Sequence, residues 1–285
     1  MRPLDGRDDS DDHDRGLAAD LPLLRRRALL GLLAGVGLAA VAGCADFDST
    51  PQTTTITTAE GPNDVPAPST SAATGSCAEI PEETAGPFPA DGSNGANVLN
   101  QTGAVRSDIR SSFGTASGVA TGVPLTIRLT VSDTTANCAP LDEAAVYVWH
   151  CDRDGRYSLY SPGVTAENYL RGVQVVDADG VARFTSIFPA CYRGRWPHIH
   201  FEVYESLRAA SSGAGPLATS QIALPKDVCD AVYATDGYAA SARNITDIAL
   251  DSDPVFRDGW NRLVGTITGG VGGGLAVAFA VPVGA

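Results

Sequence analysis

The chain has 285 residues, 44% of them hydrophobic and 19% charged, enough apolar content to bury one sizeable core. Its 33 acidic residues against 20 basic ones give a formal net charge of -13, which repels a phosphate backbone, and no stripe of basic and aromatic residues offsets it. Nucleic acid is therefore not an expected partner.

In chain order, a polar, Asp-rich lead ends in Arg25-Arg26-Arg27, followed by the uncharged run ALLGLLAGVGLAAVAG up to Cys44. The run is shorter than the ~20 residues that span a bilayer as a permanent helix, so 1–43 reads as an export signal. Its paired arginines resemble a twin-arginine signal, and Val41-Ala42-Gly43-Cys44 resembles a lipobox whose Cys is acylated. The expectation is an exported protein, lipid-anchored through Cys44 on the outer face of the cytoplasmic membrane, or secreted if the signal is simply cleaved. Residues 44–76 are rich in Thr, Ser, Pro and Ala and read as a disordered tether.

From Cys77 the pattern changes to short apolar alternations separated by Gly, Pro, Asp and Asn, and 77–285 reads as one domain. LTIRLTV alternates through Ile127, Leu129 and Val131, and AAVYVWH repeats the alternation. GVQVVDADGVARFTSI carries an Asp179-Gly180 turn between two strand-like runs; HIHFEVY, TSQIAL, RLVGTITGG and GLAVAFAV follow. LPKDVCDAVYA reads as one short helix. Many short strands with few helical periods predict an all-β sandwich with few short helices.

Two of the chain's four histidines sit one residue apart in CYRGRWPHIHFEVYES. In a strand, Ile199, Phe201 and Val203 point into the core while His198 and His200 project together from the other face, a strand repeat apart, suited to holding one metal ion. Taken alone, the motif also fits a pair of histidines that decorate a strand surface.

The segment YRGRWPHIHF resembles the metal-binding core of the intradiol ring-cleavage dioxygenases, in which Tyr, a spacer, Arg, two residues and His-x-His follow one another. VYVWHCDRDGRYS resembles the strand and loop that end in that family's first tyrosine ligand, and ATSQIAL the strand that bears its active-site glutamine. Together the three segments cover roughly 120 to 225. The resemblance implies a ferric ion held by Tyr157, Tyr192, His198 and His200, with Tyr157 and His198 equatorial and Tyr192 and His200 axial. Phenolate oxygens are hard donors that favour Fe(III) over Fe(II). Arg195 and Gln221 would stabilise negative charge on the ring, and Tyr192 would leave the metal and take up a proton. The substrates implied are a catechol and O2, with the ring opened between its hydroxyl-bearing carbons to a muconate-type dicarboxylic acid.

Other residues invite a reading. His150 is expected to be a hydrogen-bonded core histidine rather than a further ligand. Glu202 shares the histidine face, as a carboxylate supporting the site or as a solvated one. ETAGPFP at 83–89 resembles the family's pocket segment, with Ala85 in place of an acid and Pro89 in place of an aromatic. Ala190-Cys191 replaces a common Gly-Trp pair, and the loop 205–218 is longer than in cytoplasmic members and carries Arg208. The short Gly/Ser/Asn-rich stretch before the first strand leaves no room for a helical dimerisation domain, and oligomeric state stays open.

Five cysteines follow Cys44, an odd number in an oxidising compartment. Antiparallel pairing of 198–204 with 219–224 would bring Cys191 and Cys229 to one end, making them the preferred disulfide; Cys77 with Cys138 is the second choice. Two other function classes remain at this point: a non-catalytic binding lipoprotein on the same fold, and a His-x-His carrier of copper or zinc.

Overall fold

Pro124–Asp133 forms β1, whose residues alternate between solvent and interior, with Leu125, Ile127, Leu129 and Val131 facing inward. The computed structural model describes residues 77–285; the export signal, Cys44 and the tether expected over 1–76 lie outside the described residues. Along one side of β1 runs β5 (Val181–Ile187), antiparallel, with β2 (Ala139–Pro140) at the far end; along the other runs β9 (Gly274–Val283), parallel, and β8 (Thr266–Gly270) pairs with β9. The second sheet is antiparallel throughout, in the order β4 (Arg171–Val175), β3 (Ala145–Trp149), β6 (His198–Tyr204), β7 (Ala218–Ala223).

The main core fills the space between the sheets, where Leu125, Ile127, Leu129 and Phe184 meet Val146, Val148, Ile199, Phe201 and Ile222. Burying side chains of this size contributes roughly 1.5–3 kcal/mol each. The outer face of the second sheet is not solvated either. Every residue of β3, β6 and β7 is buried, because Tyr147, Trp149 and Tyr204 pack beneath Ala90, Val98, Leu99, Tyr157 and Ala210 in a second apolar cluster. A sheet covered on both faces gives strands that are apolar or tightly hydrogen-bonded at every position, which is where a site can be built from strand residues.

The all-β sandwich is as expected. The Asp179-Gly180 turn carries the chain from one sheet to the other, with Asp177 Oδ1 accepting from the Asp179 and Val181 amides at 3.0 and 2.9 Å. Of the helices, α1 (Leu207–Ser212) occupies the long loop, α2 (Lys226–Tyr233) is the expected one, and α3 (Ala239–Asn244) follows; short 3-10 turns cover Phe256–Asp258 and Trp260–Arg262. A side-chain cap from Ser206 and a left-handed Gly213 frame α1. No described helix is long and apolar enough to cross a membrane.

The disulfide expectation needs correction. Cys77 is bonded to Cys138, and Cys191 and Cys229 are free and buried. The pairing of β6 with β7 is as expected, but each thiol turns to a carbonyl of its own segment, Cys191 to Arg195 at 3.5 Å and Cys229 to Leu224 at 3.8 Å.

Candidate metal centre

On β6, His198 and His200 share the outer face, both nearly excluded from solvent, and their Nε2 atoms lie 3.1 Å apart. His198 Nδ1 is 2.5 Å from the Trp196 carbonyl oxygen, which can only accept, so the proton sits on Nδ1 and the Nε2 lone pair points outward to the site. Burial and the charge on Arg195 hold His198 well below the usual imidazole range; burial and His198 do the same to His200. Both rings are thus neutral donors. Trp149 stacks on His200 with centroids 4.9 Å apart and fixes its plane.

Two loops bring phenols to the same point. Tyr157 Oη is 3.3 Å from each Nε2, and Tyr192 Oη is 3.4 Å from that of His198. The Tyr157 loop is held by Asp152, whose carboxylate accepts from the Asp154 and Arg156 amides and from the Tyr169 hydroxyl, all at 2.9 Å. Arg171, buried in β4, donates to the Ser158 carbonyl at 3.0 Å and to the Phe88 carbonyl at 2.8 Å, tying that loop to the 83–89 segment. The Tyr192 loop lies close against Gly155, at φ +84°, where an added Cβ would fall 3.1 Å from Tyr192 Cβ.

The four donor atoms meet the geometric requirement for a small cation. Ligands at about 2 Å from a common centre and roughly at right angles stand about 3 Å apart, and four of the separations between these donors run from 3.1 to 3.4 Å. Burial, with Tyr192 and Cys151 nearby, pushes the Tyr157 phenol well above its usual value, so a neighbouring cation is what would make it a phenolate. No group of three His, Cys, Asp or Glu side chains suited to a metal occurs among the described residues; the converging set is two phenols and two imidazoles.

Beside these donors is a polar cluster. Gln221 lies directly across from His200 on β7, accepts from Arg195 Nη2 at 2.7 Å, and donates to the Thr84 carbonyl at 2.7 Å. Arg195 is buried and its Nε donates to Asp253 Oδ2 at 3.1 Å. All six residues expected from sequence are therefore gathered at one place. Sequence reading missed Asp253, Glu83, Asp152 and Arg171. A carboxylate more than fifty residues beyond the histidines has no local signature, whereas a lone Arg heading the apolar strand RGVQV was a readable sign of a buried, fully bonded cation.

His150 bonds Ser186 Oγ at 2.7 Å and the Cys151 carbonyl at 2.8 Å, and burial takes it down to about 4, so it is a core histidine as expected. Glu202 is buried and accepts from Tyr204 Oη at 2.7 Å, which excludes the solvated alternative. Arg208 is exposed on α1. Phe88 packs on Tyr157 with centroids 5.0 Å apart and, with Ala85, lies against the second apolar cluster.

Residues 103–210 match the family model described as Dioxygenase. A chlorocatechol 1,2-dioxygenase of Rhodococcus opacus is 42% identical over 53 residues, 19% of this chain, and the match spans about a fifth of that relative, 21% of its length. An intradiol ring-cleavage dioxygenase from Tetranychus urticae superposes with a TM-score of 0.57 at 22% identity, covering 73% of this chain and 95% of that one. A second crystal structure described as a dioxygenase gives 0.58 at 21% identity over 73% and 95%. In its fold, and in the family match over 103–210, this chain resembles the intradiol ring-cleavage dioxygenases.

Proposed function

We propose that the chain is a non-haem Fe(III) dioxygenase that opens a catechol ring between its two hydroxyl-bearing carbons with O2, giving a muconate-type dicarboxylic acid. The observation that supports this most is the convergence of Tyr157, Tyr192, His198 and His200, with separations of 3.1–3.4 Å, beside a buried Arg195. Two phenol oxygens suit a hard trivalent ion better than the soft ions a carrier would take. When bound, ferric iron would supply a Lewis-acidic template for a catecholate's two oxygens.

The protein's own groups have distinct tasks. Tyr157, His198 and His200 are buried, with His198 Nδ1 on the Trp196 carbonyl and the His200 ring stacked on Trp149, so they are the fixed ligands. Tyr192 is only partly buried, and its Oη is the donor assigned to move aside and hold a proton given up by a catechol hydroxyl. Arg195 presents fixed positive charge to an anionic ring, with Gln221 holding the guanidinium in place. Phe88 offers the ring an apolar wall and, with the second apolar cluster, limits water. The export signal, acylated Cys44 and placement of 77–285 outside the cytoplasmic membrane belong to the same proposal.

Phenolate on Fe(III) absorbs in the visible, so the iron-loaded protein is expected to be reddish to burgundy without added reductant. Anaerobic catechol should move the band to longer wavelength, and oxygen uptake should follow on aeration. A colourless protein with stoichiometric iron, or a coloured one that takes up no oxygen with any catechol, would overturn the reading; the latter result favours a non-catalytic binding protein.

A further inference from the structure

Glu83 belongs to the pocket segment 83–89, and its side chain is nearly excluded from solvent. The strand β7 grips this segment at three consecutive residues: the Glu83 amide donates to the Thr219 carbonyl at 2.9 Å, Ser220 Oγ to the Pro81 carbonyl at 2.7 Å, and Gln221 Nε2 to the Thr84 carbonyl at 2.7 Å. Gln221 in turn holds Arg195. These bonds hold the backbone of the segment against the residue that grips Arg195, and the buried Glu83 carboxyl is within electrostatic reach of Arg195, Asp253, Asp258 from the 3-10 turn Phe256–Asp258, and its own neighbour Glu82.

We propose that Glu83 is a positioning residue for Arg195: the charge on its buried carboxyl sets how much of the guanidinium's positive charge faces an anionic ring in the pocket. The inference rests on the ring-cleaving function for the nature of its ligand. Arg195 and Asp253 already balance one another as a buried pair. With Glu83 neutral, the cluster offers an incoming catecholate a guanidinium whose charge is shared with one carboxylate; with Glu83 ionised, a second carboxylate competes for the same cation and repels the ligand.

Burial is the main influence on this carboxyl, Asp258 adds to it, Arg195 opposes it, and Asp253 and Glu82 add again; the outcome is a group pushed up to about 8. It therefore carries its proton at neutral pH. If catecholate binding requires the neutral form, affinity falls by up to about tenfold for each pH unit above that value.

The experiment has two arms. Infrared difference spectra of metal-free protein, wild type minus Glu83→Gln, should show the carbonyl stretch of a protonated carboxylic acid at neutral pH that disappears as pH passes about 8. Anaerobic titration of iron-loaded protein with catechol should give a Kd that rises through the same range in wild type, relative to Glu83→Gln at each pH. Glu83→Asp should keep a titrating limb, and Glu82→Gln, which removes the smallest of the influences named, should keep that limb with its midpoint moved to lower pH. Absence of the carbonyl band, or superimposable binding profiles for wild type and Glu83→Gln, would overturn the proposal alone. A protein that binds no catechol at any pH would overturn the ring-cleaving function and this role with it, whatever the infrared band shows.

Discussion

Arg195 and Asp253 form an ion pair with Nε 3.1 Å from Oδ2, and both side chains are sealed from solvent, 1% and 0% exposed. The same carboxylate accepts from the Trp196 amide at 2.6 Å and, through Oδ1, from the Val255 and Phe256 amides at 2.8 and 3.1 Å. One side chain therefore neutralises the site's cation and closes the turn that packs Phe256 near His198. Removing one partner of such a pair leaves a buried charge uncompensated, at a cost of about 3–5 kcal/mol. Asp253→Ala should lower unfolding free energy by that order in urea denaturation. Asp253→Asn, which keeps the shape and one acceptor oxygen but not the charge, should lose less; losses equal to those of Asp253→Ala would mean that the charge alone, and not the shape of the side chain, is what Asp253 contributes.

Arg195→Ala separates ligation from charge stabilisation. Arg195 is not among the four converging donors, so the variant should retain iron at wild-type stoichiometry while kcat falls by about 10²- to 10³-fold, the typical loss for one preorganised donor. Metal analysis alongside oxygen uptake checks it. Loss of iron would assign the residue to support of the ligand loop instead.

The strands were legible because their apolar period is 2 and their boundaries carry Gly, Pro and Asp, as in β1 and β6. The ligands were legible because His198 and His200 are local to one strand and the tyrosines lie in recognisable segments around it. What escaped was contact between parts of the chain far apart in sequence. Glu83 reaches Arg195 across more than a hundred residues, and Asp253 reaches it from a segment with no periodic pattern. The expected Cys191–Cys229 bridge followed from correct strand pairing, yet pairing fixes backbones and not the direction of two thiols, which turn to Arg195 and Leu224 carbonyls. The short α1 escaped because its composition, Ala and Ser, is equally that of a loop.

Glu83 also makes stability depend on pH. Its carboxyl rises from an ordinary 4.5 to about 8 on folding, so the native state holds the proton more tightly than the unfolded chain does. The contribution is fully present below 4.5, declines as pH climbs, and is lost once pH passes about 8. The slope between is at most about 1.4 kcal/mol per pH unit. His150, His198 and His200 are depressed instead, and their contribution is lost as pH falls below the ordinary imidazole range. Tm of wild type minus Tm of Glu83→Gln removes those histidines from the comparison and should fall steadily over the window up to about 8. A difference that is flat with pH would mean that the carboxyl is already ionised when folded.

Cys77–Cys138 joins the first described residue to the turn after β1 across 61 residues. On the chain-entropy account, a loop of that length is worth about 4 kcal/mol, of which strain and denatured-state structure commonly remove part. Cys77→Ser should therefore lower unfolding free energy by about 2–4 kcal/mol. Non-reduced peptide mapping should recover Cys77 linked to Cys138, with Cys151, Cys191 and Cys229 alkylated only after unfolding, since all three are buried. A peptide joining Cys191 to Cys229 would contradict this arrangement.

The two tyrosines should differ in what their loss removes. Tyr157 is buried, its amide donates to Ser161 Oγ at 2.9 Å, and its Oη faces both imidazoles, so nothing in the loop allows it to withdraw. Tyr192 is partly exposed, with its Oη 3.4 Å from His198 Nε2, on a loop that turns at Gly194 with φ +81°. Tyr157→Phe should cost iron retention first, seen as lower metal content after dialysis against a chelator. Tyr192→Phe should keep iron and change the resting visible band, because one phenolate remains; it should also blunt the shift that anaerobic catechol produces, since the donor assigned to move aside is gone. Equal iron loss in both variants would mean that the two phenols hold the metal equally, and a visible spectrum indifferent to both substitutions would mean that neither phenol touches it.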